Sequence, residues 1–504
     1  MAEADILSAL PASPARVIDR WARQSPQANF LVADGVRYSY QQSAQIKSAL
    51  AKYFKAEGVG QGDRIIVNVD NGAAAVMVFL ALNALEAVAV MISPRLAAPE
   101  QAKIIDHADP VGILTACSQP EGARIEAGLT LSDPIGDLSL LGLSWHPTGQ
   151  QNSPLESVTP DSVVAAMIYT TGTTGDPKGV MLSNRNLMFT GFVSGRLRGL
   201  GADDRVLTAL PLSHAFGLSA VLCSVLVQGA SLHLDASFSG AATLVRMQSE
   251  EITGFLGVPA MYTQLLAACG EKFVTLPALR FMFSGGAPLD PELKSRVEQV
   301  FGLPLHNGYG MTEAGPTIAQ TRLYAPLDDT SVGFVIPGVS YQIKPVALAE
   351  DGIGELLVKG PNVMAGYFRA EEATKAVLKA GWLATGDLAR VSASGTLEIV
   401  GRIKELIIRN GFNIYPPEVE AALLRLPSVL QAAVVGQALS GNEAVVAFVV
   451  VSSEDSAFDP IAARTQLRAH LSGYKIPDRI VVLDAMPSAP SGKILKHKLC
   501  ISSC

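Results

Sequence analysis

Short runs of aliphatic and β-branched residues alternate along the chain with longer stretches whose apolar positions recur every three or four residues. That rhythm predicts an α/β fold. Residues 64–69 (RIIVNV) read as a strand entered from a turn over 58–63, residues 73–85 as a helix, and residues 87–92 (AVAVMI) as a second buried strand. Residues 163–169 (VVAAMIY) and 279–283 continue the series. Ser183 is placed to cap one helix. Asp290 is placed to cap another, with Pro291 at its first position and Leu293, Val297, Val300 and Phe301 on its apolar face. Together these segments predict α/β layers over the part of the chain before about residue 330.

Beyond about residue 330 the pattern shortens. Asp351-Gly352 and Ser394-Gly395 fall between short β runs, which predicts hairpins in a small β-rich subdomain. The final hundred residues read as a separate α+β unit, with helices at 417–426 and 460–471 and strands at 430–435 and 444–451.

The most apolar stretches, 73–82 and 217–230, are too short for a bilayer, whose apolar layer takes about 20 helical residues, so both are expected as buried helices. The N-terminus shows no basic segment followed by an apolar one, which predicts no secretion signal. The chain of 504 residues carries 39 Lys and Arg against 46 Asp and Glu, a net charge of −7 that argues against nucleic acid as a partner. Five scattered cysteines, with no metal-ligand spacing, fit a reducing cytoplasm.

The segment Tyr169-Thr170-Thr171-Gly172-Thr173-Thr174-Gly175-Asp176-Pro177-Lys178-Gly179-Val180 concentrates hydroxyls and glycines between a strand and a capped helix. Glycines let the backbone approach a polyanion, hydroxyls and amides donate to its oxygens, and Lys178 adds compact positive charge. The spacing GTTGDPKG is not the GxxxxGK[ST] of P-loop enzymes. An ordinary Gly/Thr turn is the structural alternative. Gly58-Val-Gly-Gln-Gly62 imitates part of a dinucleotide fingerprint, but it precedes a strand instead of following one and reads as a turn.

The glycine- and threonine-rich segment resembles the phosphate-binding loop of the adenylate-forming superfamily, which includes the AMP-dependent acyl- and aryl-CoA synthetases. Six further segments match that family in order: Pro211–Gly217 (PLSHAFG), Ser284–Ala287 (SGGA), Asn307–Glu313 (NGYGMTE), Gly381–Asp387 (GWLATGD), Gly401–Glu405 (GRIKE) and Pro490–Lys493 (PSGK). The resemblance runs from about Tyr38 to Leu499.

It implies ATP, Mg2+ and coenzyme A as cofactors. The implied nucleotide site comprises Thr170 to Gly175, Lys178, Gly285, Gly286, Ala287, Asn307, Gly308, Tyr309, Gly310, Met311, Asp387, Arg402 and Lys404. Tyr309 would lie against the adenine, Thr312 would contact a phosphate, and Glu313 would help hold the metal. Asp387 would accept from both ribose hydroxyls and Arg402 would lie near ribose and phosphate. The resemblance also implies a large N-terminal domain, residues 1–401, of two helix-flanked mixed or parallel sheets, a hinge at 402–404 and a small mobile domain, residues 405–504. Lys404 would sit where that domain swivels, and Lys493 would serve the first half-reaction. His214 would border the acyl pocket near the carboxylate. Each has a plain structural alternative when taken alone: a helix start for Thr312-Glu313, a turn for Asp387, a surface side chain for Arg402 and Lys493, a core histidine for His214.

The implied reaction activates a carboxylic acid to acyl-AMP and pyrophosphate, then passes the acyl group to a thiol with release of AMP. Amino-acid-activating relatives carry an Asp in the early pocket. Ser213–Gly217 has none, which leaves fatty, alicyclic or aryl acids. The acceptor stands open between coenzyme A and the phosphopantetheine of a carrier protein acting in trans. A nucleotide-binding protein without catalysis is the alternative of a different class.

Overall fold

The computed structural model describes residues 3–116, 142–149, 155, 163–171, 177–270, 272–346, 349–350, 352–410, 412–439, 442–452, 458–488 and 494–499. Gly172, Thr173, Thr174, Gly175 and Lys493 therefore lie outside the described residues, as do Asp351 of the first expected hairpin and three of the five cysteines.

Two large sheets carry the N-terminal part. The first has seven strands, in the order Gly366–Tyr367, Pro177–Ser183, Val164–Thr171, Val88–Ile92, Arg64–Asn68, Gly112–Ala116 and Leu143–Pro147. Its centre is parallel, and the pairs at both margins are antiparallel. The central strands are continuous apolar runs because both their faces are covered.

The second sheet has nine strands. Arg205–Thr208, Gly254–Gly257, Phe281–Ser284 and Leu305–Gly310 run parallel and side by side, ending at Thr208, Gly257, Ser284 and Gly310. Thr317–Gln320 returns antiparallel beside Leu305–Gly310. Crevices beyond the carboxyl ends of such parallel strands are where α/β folds bind ligands.

Between the sheets lies one core that draws residues from both, filled by helices apolar on every side. Helix Ala73–Ala84 (AAAVMVFLALNA) is buried almost throughout, as its composition requires. The expected helix over 217–230 divides into a π-helical stretch, Phe216–Cys223, and an α-helix, Ser224–Gln228, both buried. The caps fall where the sequence placed them. Asn186 N–H donates to Ser183 Oγ at 3.2 Å, and Leu293 N–H to Asp290 Oδ2 at 2.9 Å. The loop over 58–62 is a turn, with Gly58 and Gly62 at φ of 86° and 77° and Gly60 N–H bonded to Asp63.

A five-stranded sheet over residues 340–402 forms the β-rich subdomain. Its hairpins Ser340–Pro345/Gly354–Lys359 and Trp382–Val391/Leu397–Arg402 turn at Gly352 and Gly395, with φ of 82° and 85°. C-terminal to these, Val429–Leu439, Asn442–Val451 and Arg479–Val482 form a three-stranded sheet. Helices Pro416–Leu424 and Pro460–Leu467 pack onto it through an apolar cluster of its own, which includes Val419, Leu423, Val434, Val445 and Leu467.

Candidate active site

The strand Val164–Thr171 and the strand Pro177–Ser183 form a hairpin whose last paired positions are Thr170↔Lys178 and Thr171↔Pro177. The tip, with its threonines and glycines, lies outside the described residues, but its two stems are fixed. Tyr169 OH and His107 Nδ1 are 2.8 Å apart on one stem. On the other, Gly179 and Met181 carbonyls accept from Phe368 and Ala365 amides at 2.8 and 3.0 Å. Lys178 Nζ lies 5.1 Å from the centre of the Tyr367 ring.

That tyrosine leads to the next expected group. Tyr367 OH donates to Glu313 Oε1 at 2.9 Å. Glu313 and buried Thr312 occupy a single 3-10 turn, Thr312–Ala314, at the end of the strand that carries Asn307, Gly308, Tyr309 and Gly310. The turn is held from below: Asn362 Nδ2 donates to the Ala314 and Thr317 carbonyls at 3.1 and 3.0 Å, and Met364 N–H donates to Glu313 O at 2.9 Å.

The glycines flanking Tyr309 have a packing reason. A Cβ on Gly310 would stand 1.6 Å from Pro316 O, and one on Gly308 would stand 2.7 Å from the Phe283 ring. Their bareness lets the neighbouring chain and the Phe283 ring close in. Asn307 is also structural in its contacts. Its amide donates to Thr330 O at 3.0 Å, and its Oδ1 accepts from Gly308 N–H at 2.9 Å. Met311 is half-buried and packs against the main core.

Tyr309 reaches across to Asp387, its hydroxyl donating to Oδ2 at 2.5 Å. Burial first, and the Asp387 carboxylate second, push the phenol pKa well above its ordinary value, so it remains a donor. Arg402 faces Asp387 across the hairpin register and donates from Nε to Oδ1 at 2.9 Å. Burial disfavours the charge on Arg402, yet Asp387 and Glu405 raise its pKa above the arginine norm. Lys404, itself exposed, follows in the 3-10 turn Ile403–Glu405. Lys178, Tyr367 and Glu313 thus form one set of contacts and Tyr309, Asp387 and Arg402 a second, joined by the backbone that runs from Tyr309 to Glu313.

A second wall comes from the segment after Arg205–Thr208. His214 Nδ1 accepts from Phe216 N–H at 3.2 Å, so in the neutral ring the proton is on Nε2. The Phe216 ring lies over Gly285, where a Cβ would stand 3.1 Å from it, and Gly286, at φ of 80°, faces Val258. Ala287 is half-buried beside them. Asn71 staples this segment to the other sheet. Its Nδ2 donates to Leu210 O and its Oδ1 accepts from Leu212 N–H, both at 2.9 Å.

Ser488 and Ile494, which flank the undescribed segment with Lys493, form an antiparallel bridge. Three residues on from Lys493, Lys496 pairs with Glu405 and with Glu420, each at 2.8 Å. Burial opposes the Lys496 charge, but Glu420 and Glu405 together raise its pKa. The end of the chain is therefore tied to the residue that follows Lys404.

Among the described residues no three His, Cys, Asp or Glu side chains cluster to hold a metal. Glu313, with one oxygen taken by Tyr367, suits a hard cation that arrives with phosphate oxygens and needs one protein carboxylate. Three contributors escaped the sequence reading. Tyr367 and Asn71 act through partners more than 50 residues away, and Phe216 sat inside a recognised segment without a role.

The family profile "AMP-binding enzyme" matches residues 18–368, and "AMP-binding enzyme C-terminal domain" matches residues 418–493. A feruloyl-CoA synthase from an Amycolatopsis species is 34% identical over 493 residues, covering 95% of this chain and 97% of its own. A sulfoacetate–CoA ligase from Cupriavidus necator is 34% identical over 500 residues, covering 95% of each. The o-succinylbenzoate CoA synthetase of Bacillus subtilis, solved with its acyl-adenylate intermediate, superposes with a TM-score of 0.82 at 28% identity, covering 97% of this chain and 98% of that one. The same enzyme has been solved with ATP and a magnesium ion, again at a TM-score of 0.82. The chain belongs to the AMP-binding enzyme family, the adenylate-forming acid–thiol ligases.

Proposed function

We propose that Thr170 to Lys178 cradles the phosphates of ATP, that Tyr309 stacks on the adenine and Asp387 takes the ribose hydroxyls, with Arg402 beside them. Thr312 contacts a phosphate. Glu313 would hold the magnesium that accompanies ATP, whose charge offsets that of the phosphates and eases departure of pyrophosphate. The observation that carries this assignment is that one stretch of chain, from Tyr309 to Glu313, joins two sets of contacts, Lys178–Tyr367–Glu313 and Tyr309–Asp387–Arg402.

The enzyme joins a carboxylic acid to coenzyme A in two steps. A carboxylate cannot expel oxide, so one of its oxygens first attacks the α-phosphorus and the bond to pyrophosphate breaks. The thiol sulfur then attacks the carbonyl carbon of the mixed anhydride, loses its proton, and AMP departs. Lys493 is the cation we assign to the first step, where it offsets repulsion between carboxylate and α-phosphate. We assign residues 402–404 as the hinge on which residues 405–504 turn between steps, with residues 1–401 as the stationary domain. His214, whose proton is on Nε2, is suited to donate to the bound carboxylate.

The wall of Phe216, Val258 and Gly285 supports an acid with an apolar body: fatty, alicyclic or aryl. The CoA ligases among the relatives support coenzyme A as acceptor, and nothing in them points to a carrier protein. No helix among the described residues is long and apolar enough to cross a membrane. The sparse, scattered cysteines support a cytoplasmic setting.

The test is acid-dependent exchange of labelled pyrophosphate into ATP across a panel of carboxylic acids, followed by detection of the CoA thioester. Exchange by the parent that is lost in Lys178→Ala and Asp387→Ala is expected. Full exchange in both variants would overturn the site assignment.

A further inference from the structure

Tyr367 stands between the two charges on which the phosphate assignment rests, and its position is heavily constrained. It lies on the edge strand Gly366–Tyr367, paired with the outgoing stem of the phosphate hairpin through Gly366↔Met181 and Tyr367↔Val180. The next two residues anchor it on the other side. The Phe368 ring packs against the Arg64 guanidinium at 4.9 Å and edge-on against His107 at 5.6 Å, and Arg369 pairs with Asp109 at 2.7 Å. With the backbone held at both ends, the phenol has little freedom. Its hydroxyl donates to Glu313 Oε1 at 2.9 Å, and its ring face carries Lys178 Nζ at 5.1 Å. Burial, and then the Glu313 carboxylate, push the phenol pKa far above its ordinary value, which keeps the proton on the donor.

We propose that Tyr367 is a positioning residue that occupies Glu313 Oε1, leaves Oε2 alone for the nucleotide-borne metal, and so favours magnesium over calcium while its ring stations Lys178 at the same phosphates. Magnesium is small and takes one oxygen from each carboxylate in a near-octahedral shell. Calcium takes six to eight oxygens and accepts both from one carboxylate. With Oε1 already accepting from Tyr367, two-oxygen binding weakens or displaces that bond, a penalty that falls on calcium and spares magnesium. The arrangement also fixes the separation of the two positive charges that the triphosphate must meet at once. The inference rests on Glu313 being the magnesium carboxylate.

The test is binding of a non-hydrolysable ATP analogue to the full chain by titration calorimetry in Mg2+, in Ca2+ and in EDTA. Tyr367→Phe, which keeps the ring, is expected to lower the ratio of affinity in Mg2+ to affinity in Ca2+ by about tenfold. Its affinity in EDTA should stay within about twofold of the parent's, since Lys178 keeps its ring. Tyr367→Leu should reproduce the metal effect and also weaken binding in EDTA by about threefold. The ratio is read within one protein, so a general loss of stability cancels. Equal loss of affinity in Mg2+ and Ca2+ would show that the hydroxyl supports structure only and would overturn the proposal. A Glu313→Gln protein whose binding depends on metal as the parent's does would remove the Glu313 assignment itself, whatever Tyr367→Phe shows.

Discussion

Tyr309 OH and Arg402 Nε hold the two oxygens of Asp387, at 2.5 and 2.9 Å, so both carry a donor before any nucleotide arrives. At 2% exposure the carboxylate needs such partners, because a buried unpaired charge is costly. A ribose that uses Asp387 as acceptor must then share or displace the Tyr309 bond. Tyr309→Phe keeps a ring for stacking and removes only the competitor. Without ligand its folding stability should fall by about 1.5–3 kcal/mol, the usual worth of a hydrogen bond to a charged group. The rise in melting temperature caused by AMP should exceed the parent's. Calorimetric melts with and without AMP check both. A smaller AMP-induced rise would mean that the hydroxyl works for the nucleotide and does not compete with it.

The tie between Lys496 and Glu405 suits the proposed motion, in which a tail turning with residues 405–504 presents Lys493 in only one position. Lys493→Ala is expected to abolish acid-dependent pyrophosphate exchange while leaving most of the thioester formation from supplied acyl-AMP. Quenched-flow assays of each half-reaction separate the two. Equal loss in both would refute this division of labour.

The segments that match the family were legible in the sequence because their residue types are demanding over short distances. A glycine-threonine loop, a TGD turn and a PSGK turn each fit within a dozen residues, and the strands and caps around them follow ordinary periodicity. Links across the fold were not legible. Asn186 Nδ2 donates to Pro361 and Val363 carbonyls, and Tyr367 meets Glu313 54 positions away. Neither leaves a periodic trace in the chain. The π-helical stretch Phe216–Cys223 was expected only as a buried helix, since its composition is apolar all round and does not distinguish one helical hydrogen-bond pattern from another. Gly308 and Gly310 illustrate a different limit. Their presence was visible, but the Phe283 ring and Pro316 carbonyl that exclude a Cβ became visible only in three dimensions.

Asn71 supplies a prediction about the acid site that leaves the nucleotide aside. Its side chain bonds Leu210 O and Leu212 N–H, both at 2.9 Å, and so fixes the segment from which His214 and Phe216 project. Asn71→Ala should raise the KM for the acid by about tenfold, the equivalent of one or two hydrogen bonds, with the KM for ATP within about twofold. Steady-state kinetics with each substrate varied in turn provide the check. A matching rise for ATP would mean that the loss spreads beyond the His214 segment.

His306 sets a pH limit on the strand that carries Tyr309. The imidazole is buried, 3.1 Å from Thr321 Oγ1, and near Lys294, Glu298 and Arg198. Burial first, then the charge of Lys294, lower its pKa from 6.5 to about 4. Between those values the unfolded chain binds a proton that the native protein refuses. The stability contribution is therefore complete above about pH 6.5 and is lost progressively as pH falls towards 4, amounting to about 3 kcal/mol. Lowered pKa values at His233 and Glu250 act in the same direction, so the comparison must be between proteins that share them. His306→Asn keeps a polar partner for Thr321 and removes the titration. Urea melts of parent and variant from pH 7.5 to 4.5 should show the variant losing less stability across the range. Parallel curves would mean that His306 takes up its proton in the folded state as readily as in the unfolded one.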